Sequence, residues 1–438
     1  MRRKRRKKLN IFKVLLAFLA ISIIIFLLVK IINKPQEPKK IFMLNVINED
    51  IASANDKLKA YGLEIMTTYK YDEEIEKDKI ISQSIDENIE INSGDKLELV
   101  VSLGKRDKDK LKNDGINELG KVPIMMYHGI KNINNSDTPY TGGNVDRDGY
   151  TRTVEAFRND LEFYYQKGYR MVKLSDYIHG NISVEYGKSP IVLTFDDGND
   201  NNIRVTGLDD NGNIIIDKNS AVGVLEEFKK KYPDYNVTAI FFVTSALFNQ
   251  PEYNEKIIKW LVENGYEVGN HTKGHNNLSN TSESETEEVI GYVYKQLSEI
   301  IDGKYAKIVA LPFGTPYNKE HANYKHILSG KYDGFEYETE GALRVGWEPE
   351  VSPFDKEFDR TFLKRCRAYD NNGVEFDITM VFNMLEKSRY TSDGDNKTIV
   401  TSSSNEGMIN KNSDKEIITY WYNNPIMTIF EKIWSFCL

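Results

Sequence analysis

The chain has 438 residues, too many for one small domain, and 40% of them are hydrophobic, enough for a sizeable core. Its net charge of −8 is unevenly spread. Residues 1–40 hold 12 of the 58 Lys and Arg but one of the 66 Asp and Glu, which leaves −19 for the rest. The acidic charge of the chain after residue 40 argues against nucleic acid as the main partner. Two cysteines, Cys366 and Cys437, are too few for a disulfide scaffold or a cysteine-based zinc site.

The N-terminal residues have the composition of a membrane anchor. The basic sequence RRKRRKK precedes the apolar run VLLAFLAISIIIFLLV at 14–29, which with its apolar flanks reaches the roughly 20 residues that span a bilayer. The following KIINKPQ lacks the small residues of a cleavage site, so we expect an uncleaved anchor over residues 1–33. A long signal peptide is the alternative. The basic end predicts a cytoplasmic N terminus and an extracellular remainder, on the cell membrane.

A stalk at 34–41 leads to a predicted small α+β domain at 42–104. SANDKLKAYGLEI has helical spacing and a stop at Gly62, and KIISQSIDENIEINSGDKLELVVSLGK alternates like strands around the turn NSGD. The order strand, helix, strand, strand resembles a PASTA domain. This resemblance implies a place among bacterial cell-wall proteins, and a spacer domain without a ligand is the alternative.

The remainder predicts a larger α/β domain. Residues 105–120 are charged and read as a linker or a separating helix, and 121–403 alternate strands with helices, which predicts a parallel sheet, open or closed into a barrel. Residues 205–217 predict a hairpin turning at Asn211-Gly212. Residues 404–438 form a C-terminal extension, either a strand with a packing helix or a segment for a membrane or partner. The predicted strands are VPIMMY, YRMVKL, IVLTF, VTAIFFV, YEVGN, KIVAL and YDGFEY, and the predicted helices are VEAFRNDLEFYYQKG, SAVGVLEEFKKK, EKIIKWLVENG and ETEEVIGYVYKQLSEII.

Carboxylates and imidazoles follow two of these strands. SPIVLTFDDG ends in Asp196 and Asp197, and EVGNHTKGH places His271 and His275 four residues apart. In parallel α/β proteins, reacting groups gather at the carboxyl ends of strands. Two neutral imidazoles and one carboxylate suit a divalent metal such as zinc. The other aspartate is then free to take a proton from an attacking water.

These residues also resemble known motifs. TFDDG followed by HTKGH is similar to the first two motifs of the polysaccharide deacetylase family, carbohydrate esterase family four, and the resemblance covers about residues 121–403. It implies a distorted (β/α) barrel of about seven strands that removes N-acetyl, or less often O-acetyl, groups from a glycan. It also implies that Asp196 is the base and that Asp197, His271 and His275 bind a divalent metal, with zinc the first choice.

The third motif departs from the family pattern. In ALPFG, Ala310 stands where the family has an arginine, whereas Pro312 and Phe313 match. The resemblance assigns the oxyanion donor to the backbone N–H of Phe313 and places Pro312 at the substrate.

The fourth motif departs as well. ALRVGWEP has Trp347 but lacks the aspartate that pairs with the family's arginine. We therefore consider Arg344 as a substrate-binding residue that orients Asp196, and Trp347 as a pocket wall. The alternatives are a structural arginine and a core tryptophan.

The family's C-terminal Leu-x-His motif is not found after Trp347. Instead VPIMMYHGI, which contains His128, resembles the opening strand of a permuted branch, in which the acid histidine precedes the first motif. His128 is therefore the predicted general acid, and a structural hydrogen bond at the strand end is the alternative. His179 and His321 are predicted to be surface residues.

Together these features predict a membrane-anchored, extracellular, metal-dependent N-deacetylase of a cell-wall glycan. The anchor and the PASTA-like domain favour peptidoglycan. Two other functions fit the same residues: a catalytically silent protein that binds wall glycan, and a deacetylase of an exported polysaccharide.

Overall fold

A computed structural model describes residues 19–20, 22–23, 40–72 and 74–421. The predicted anchor lies almost wholly outside these ranges, as do Cys437 and the last part of the C-terminal extension. Within them, no helix combines the length and the apolar composition that crossing a bilayer requires. The chain divides into two compact units, one within Met1–Thr67 and Lys79–Val100 and the other within Thr68–Asp78 and Val101–Leu438.

The N-terminal elements have the predicted order. Asp50 caps the first helix by accepting the backbone N–H of Ala52 (2.9 Å), and Gly62 ends the helical region in a left-handed conformation (φ +66°). The three longer strands form a sheet in the order β2-β5-β3, and β1 pairs with β4. The elements are β1 Ile41–Phe42, α1 Ile51–Leu58, a 3₁₀ turn at Lys59–Tyr61, β2 Glu64–Lys70, β3 Ile80–Gln83, β4 Glu90–Ile91 and β5 Lys96–Ser102.

The larger unit alternates strands and helices, and the four predicted helices are confirmed. Its helices are α2 Lys108–Asn113, α3 Val154–Gln166, α4 Leu174–Ile178, α5 Ala221–Lys231, α6 Asn254–Glu263, α7 Glu283–Ile301, α8 Tyr324–Leu328 and α9 Ile378–Leu385. Its strands are β6 Ile124–Tyr127, β7 Ile130–Lys131, β8 Arg152–Thr153, β9 Tyr169–Met171, β10 Ser189–Phe195, β11 Val205–Leu208, β12 Ile214–Ile216, β13 Ile240–Val243, β14 Glu267–Asn270, β15 Ile308–Ala310, β16 Ser329–Tyr332, β17 Phe335–Glu338, β18 Gly341–Leu343, β19 Cys366–Arg367, β20 Thr398–Ser402 and β21 Glu416–Tyr420. Short 3₁₀ turns lie at Asn135–Asp137, Thr141–Gly143, Pro233–Tyr235, Pro312–Gly314 and Ser403–Met408.

A parallel sheet organises this unit. Seven strands follow the order β18-β15-β14-β13-β10-β6-β19, and β9 pairs with the first half of β10. Every residue of β6, β10, β13 and β14 is buried, as expected for strands covered on both faces. The α/β class and a sheet of about seven strands are therefore confirmed.

The chain from Arg360 to Arg367 curls this sheet. Its first part bonds to β18, since the N–H of Leu363 donates to Ala342 (2.9 Å) and the N–H of Ala342 donates to Arg360 (3.1 Å). Its last part is β19, the opposite edge strand, in which Cys366 pairs with Met125 of β6. Because this short segment bonds to β18 at one end of the strand order and to β6 near the other, the sheet curls into a half-barrel.

The alternation of side chains along β10 determines which of its residues face the interior of the barrel. Val192 of β10 packs in one apolar cluster with Ile124, Phe242 and Leu343, which come from three other strands. Residues two apart in a strand share a face, so Thr194 and the following Asp196 lie on the same side as Val192.

Several local predictions need correction. YDGFEY is not a strand of the barrel sheet: Tyr332 and Phe335 pair in an antiparallel hairpin of β16 and β17. Strands β18 and β19 were not predicted, because two or three residues carry no periodicity. Residues 105–120, expected to be a linker or a helix, contain the short helix α2, and Leu111 and Ile116 pack with Ile418 in an apolar cluster.

Other local predictions are confirmed. The hairpin at 205–217 forms as β11 and β12, with Gly212 at φ +81° in its turn. The expected strand in the C-terminal extension is β21, which pairs with β20. His179 is exposed, as predicted. Cys366, for which no pairing was predicted, is buried and forms no disulfide with any described residue.

Candidate active site

The predicted site residues meet in one cavity at the carboxyl ends of the strands. It has a volume of about 520 Å³, and its predicted groups follow four different strands. Its lining includes His128 after β6, Asp196 and Asp197 after β10, His271 and His275 after β14, and Phe313 after β15.

Asp197, His271 and His275 form a three-residue cluster suited to a metal ion. One candidate ligand atom from each lies within 4.8 Å of the others. Oδ1 of Asp197 is 3.3 Å from Nε2 of His271 and 3.6 Å from Nε2 of His275. Nδ1 of His271 bonds to the carbonyl oxygen of Ala310 (2.8 Å), which directs the other ring nitrogen toward Asp197. Ala310 stands where the family has an arginine. Its backbone carbonyl oxygen therefore still orients His271, one of the three candidate metal ligands.

Burial and charge show that this cluster accommodates a cation. Nε2 of His271 is buried and has no hydrogen-bond partner among the described residues. Burial acts to lower the pKa of His271, but the carboxylates of Asp196 and Asp197 outweigh it and raise the pKa above its usual value. The negative charge of these two carboxylates also favours a divalent cation beside Nε2 of His271. Asp197 (φ +73°) and His275 (φ +53°) hold left-handed backbone conformations, whose cost is tolerated mainly at functional positions. The residues present therefore fit a metal.

We expect His275→Ala to lose both metal and activity, because three protein ligands leave no spare. The protein would be loaded with zinc, dialysed and measured by elemental analysis. His179→Ala, which removes an exposed imidazole outside the cavity, is the matched control and should keep its metal. Full metal occupancy in His275→Ala would refute the ligand assignment.

Asp196 is ionised and fixed in orientation. Its side chain is 3% exposed and makes a bidentate ion pair with Arg365, with Nη1–Oδ1 and Nη2–Oδ2 both at 2.7 Å. Burial alone would raise the pKa of this carboxyl, but the charge of Arg365, followed by that of His271, holds it far below its usual value. An ionised carboxylate has lone pairs beyond those that Arg365 occupies, so it can still accept a proton.

Arg365 is the functional residue that sequence reasoning missed. It is fully buried, and besides Asp196 it donates to Thr194 Oγ1 (3.2 Å) and to the carbonyl oxygen of Arg344 (3.2 Å). The hypothesis that Arg344 orients Asp196 is wrong, because Arg365 binds both carboxylate oxygens. The guanidinium of Arg344 lies instead over the ring of Phe362, 4.7 Å from its centroid. The sequence signal was weak, because FLKRCRAY contains three basic residues and nothing in it singles out Arg365.

His128 lies beside Asp196 because of strand register. Tyr127 of β6 pairs with Phe195 of β10, so His128 and Asp196 leave neighbouring strands side by side. The ring of His128 packs edge-on against Tyr150, with centroids 4.7 Å apart. Its Nδ1 is buried without a hydrogen-bond partner among the described residues, so the alternative of a structural hydrogen bond from the ring finds no support.

We expect His128→Ala to keep its fold and metal and to lose about 10²-fold in kcat, the lower range for removal of a general acid. Burial lowers the pKa of His128 below 6.5, more than Asp196 and Asp197 raise it. The acid form is lost as pH rises through that pKa, so the alkaline limb of the kcat/KM profile should begin below pH 6.5 and disappear in the variant. A folded, metal-loaded variant with unchanged kcat would refute this role.

Of the remaining predicted residues, Phe313 lines the cavity, whereas Pro312, Arg344 and Trp347 are not among its lining residues, so the pocket wall predicted for Trp347 stays a prediction. Phe313 lines the cavity in a left-handed turn conformation (φ +57°), follows the buried Pro312, and packs its ring against His275 at 4.6 Å between centroids. Trp347 is 55% exposed and its ring centroid is 6.3 Å from that of Phe376. This exposure rules out the alternative of a core tryptophan.

Two family models match the chain. The polysaccharide deacetylase model matches residues 183–328, and the PASTA domain model matches residues 41–103. The first includes the Asp196 and His271 motifs but not His128 or Arg365. Among curated proteins, no sequence matches this chain.

Solved structures that show similarity to this chain include three deacetylases. The deacetylase PplD of Streptococcus pyogenes, in complex with acetate, is 15% identical, with 61% of this chain and 98% of that chain covered and a TM-score of 0.43. A de-N-acetylase of Aggregatibacter actinomycetemcomitans is 13% identical, with coverage of 56% and 94% and a TM-score of 0.38. The peptidoglycan deacetylase PdaC of Bacillus subtilis is 23% identical, with coverage of 33% and 57% and a TM-score of 0.22. The family matches show that the chain carries a polysaccharide deacetylase domain, of a family of hydrolases, and a PASTA domain ahead of it.

Proposed function

We propose that this protein is a metal-dependent N-deacetylase of cell-wall peptidoglycan, held on the outer face of the cell membrane by residues 1–33. The observation that carries the catalytic part is the ionised Asp196, fixed by Arg365 beside a cluster that fits a metal. Burying a carboxylate that is not itself a ligand is costly, and a protein that only binds glycan has no use for it. This argues against the catalytically silent alternative.

Different residues of the chain carry out the separate steps of hydrolysis. Asp197, His271 and His275 would hold the metal, which when bound polarises the acetyl carbonyl and lowers the pKa of water. Asp196 accepts a proton from the attacking water. The backbone N–H of Phe313 stabilises the developing oxyanion. His128 donates a proton to the departing amine nitrogen.

Two features support peptidoglycan as the substrate. PASTA domains accompany bacterial cell-wall proteins, and here one precedes the deacetylase domain. The basic and apolar composition of residues 1–33 would keep both domains next to the wall.

Acetate release tests this function. Purified peptidoglycan and N-acetylglucosamine oligomers would be incubated with the zinc-loaded protein, with and without a chelator, beside Asp196→Asn. We expect acetate from peptidoglycan that requires both metal and Asp196. Glycan binding without acetate release would support the catalytically silent alternative. Acetate release from another exported polysaccharide, and not from peptidoglycan, would show that peptidoglycan is not the substrate.

The proposed membrane location and orientation of the protein can be tested separately. Protease added to intact cells should cut the chain beyond residue 33, and a chain lacking residues 1–33 should be released in an active form. Protection of the whole chain from protease would refute the orientation.

A further inference from the structure

Tyr150 lines the catalytic cavity beside His128. Its ring meets the His128 ring edge-on, with an angle of 63° between the two planes. Among the described residues, His128 contacts no other aromatic ring, and the hydroxyl of Tyr150 makes no hydrogen bond. The ring of Tyr150, rather than its hydroxyl, is therefore the part of this side chain that contacts the predicted general acid.

His128 lacks the usual means of orientation. A histidine that transfers a proton from one ring nitrogen is commonly fixed by a hydrogen bond at the other. Nδ1 of His128 is buried and has no such partner in the part of the chain that the structure describes. Nε2 is then the nitrogen that can donate a proton into the cavity, and its direction depends on what packs against the ring. Edge-on packing of two rings has a preferred geometry, so it can set that direction.

The backbone keeps the two rings together. The N–H of His128 donates to the carbonyl oxygen of Tyr150 (3.1 Å), and the N–H of Arg152 donates to the carbonyl oxygen of Gly129 (3.0 Å). A Cβ atom at Gly129 would lie 3.1 Å from Cγ2 of Thr151, so the two segments are in close contact. The contact between the rings therefore belongs to a bonded pair of chain segments.

The loop that carries Tyr150 is itself fixed. The carboxylate of Asp146 accepts the N–H groups of Tyr150 (3.0 Å) and Thr151 (2.7 Å). The buried Arg152 forms an ion pair with Asp160 of α3 (2.7 Å). The ring of Tyr150 is therefore in place before a substrate arrives, as is required of a group that orients a catalytic residue.

We propose that Tyr150 is a positioning residue, whose ring holds the imidazole of His128 in the orientation from which Nε2 protonates the departing amine. The proton moves from Nε2 to the amine nitrogen as the C–N bond breaks and its electron pair stays on nitrogen. This inference rests on the proposed function, because that proton transfer is a step of the proposed deacetylation.

The test compares Tyr150→Ala with Tyr150→Phe, which keeps the ring and removes the hydroxyl. kcat and KM for acetate release by the zinc-loaded proteins would be measured on purified peptidoglycan and on N-acetylglucosamine oligomers. We expect Tyr150→Ala to lower kcat about tenfold, the effect of a misoriented acid, while KM and metal content stay the same. Tyr150→Phe should recover most of that loss. Tyr150→Leu, which keeps bulk without an aromatic edge, replaces Tyr150→Ala if the latter does not fold.

Tyr140→Ala is the matched control, because it removes an exposed tyrosine of the same loop that does not line the cavity. It should leave kcat and KM unchanged. An equal loss of kcat in Tyr150→Phe and Tyr150→Ala would show that the hydroxyl is what matters and would overturn the positioning role. A raised KM with unchanged kcat in Tyr150→Ala would overturn it as well.

A double variant tests whether Tyr150 acts through His128. kcat of His128→Ala/Tyr150→Ala should equal that of His128→Ala, because a positioning residue has no effect once the group that it orients is gone. A merely structural role would give a further loss in the double variant, and that result would contradict the proposal.

If wild type releases no acetate from any glycan, the proposed function fails, and NMR of the histidine rings then decides on Tyr150 alone. The chain has six histidines, so the resonance that disappears in His128→Ala assigns His128. Its ring protons should have the same shift in wild type and Tyr150→Phe, because both keep the neighbouring ring, and should move and broaden in Tyr150→Ala. The same shift and line width in all three proteins would overturn the inference.

Discussion

Replacing Asp196 by Asn is expected to lower kcat by about 10⁴-fold, the upper range for loss of a general base, while metal content and glycan binding are retained. An amide cannot take the proton of an attacking water. It also presents an NH₂ group to one arm of Arg365, so one of the two 2.7 Å bonds is lost and the buried guanidinium is left without a counter-charge. We therefore expect a lower melting temperature together with the catalytic loss.

The measurement must separate chemistry from folding. kcat and metal content would be determined well below the melting temperature of Asp196→Asn, with circular dichroism to confirm the fold. Asp197→Asn provides the matched comparison, because it replaces the neighbouring carboxylate, which we assign to the metal. If Asp196→Asn strips the metal and Asp197→Asn keeps it, the roles of the two aspartates are reversed.

Sequence could predict the parts of this site that depend on local signals. Asp196 follows an apolar run and His271 follows a short predicted strand, and the carboxyl ends of parallel strands meet at one edge of the sheet. His128 also follows an apolar run, so its position beside Asp196 needed only the correct pairing of β6 with β10. The predicted residues therefore meet in one cavity, although their distances required the structure.

Arg365 could not be predicted in the same way. It reaches Asp196 across 169 residues of sequence, and its position depends on β19, a two-residue strand that pairs with β6. No periodicity marks so short a strand, and three basic residues, Lys364, Arg365 and Arg367, were equally plausible partners.

Removing Arg365 is expected to have the largest effect on stability of any single change in the site. Arg365→Met leaves a buried carboxylate without its partner, and breaking such a pair costs about 3–5 kcal/mol in the free energy of unfolding. Replacing both members by apolar side chains, in Arg365→Met/Asp196→Leu, should recover most of that loss without recovering activity. Denaturant unfolding of wild type, Arg365→Met and the double variant measures the three free energies. A double variant as unstable as Arg365→Met would show that the ion pair is not what stabilises this region.

Arg365 should also set the pH at which the base works. Without the guanidinium, burial dominates and raises the pKa of Asp196, so its ionised form is reached only at higher pH. The acidic limb of the kcat/KM profile should therefore move to higher pH in Arg365→Met. Arg365→Lys keeps the charge but loses the bidentate geometry, so it should shift the limb less while still lowering kcat. A merely structural arginine would change stability and leave the limb in place. An unshifted acidic limb in folded Arg365→Met would refute its action on Asp196.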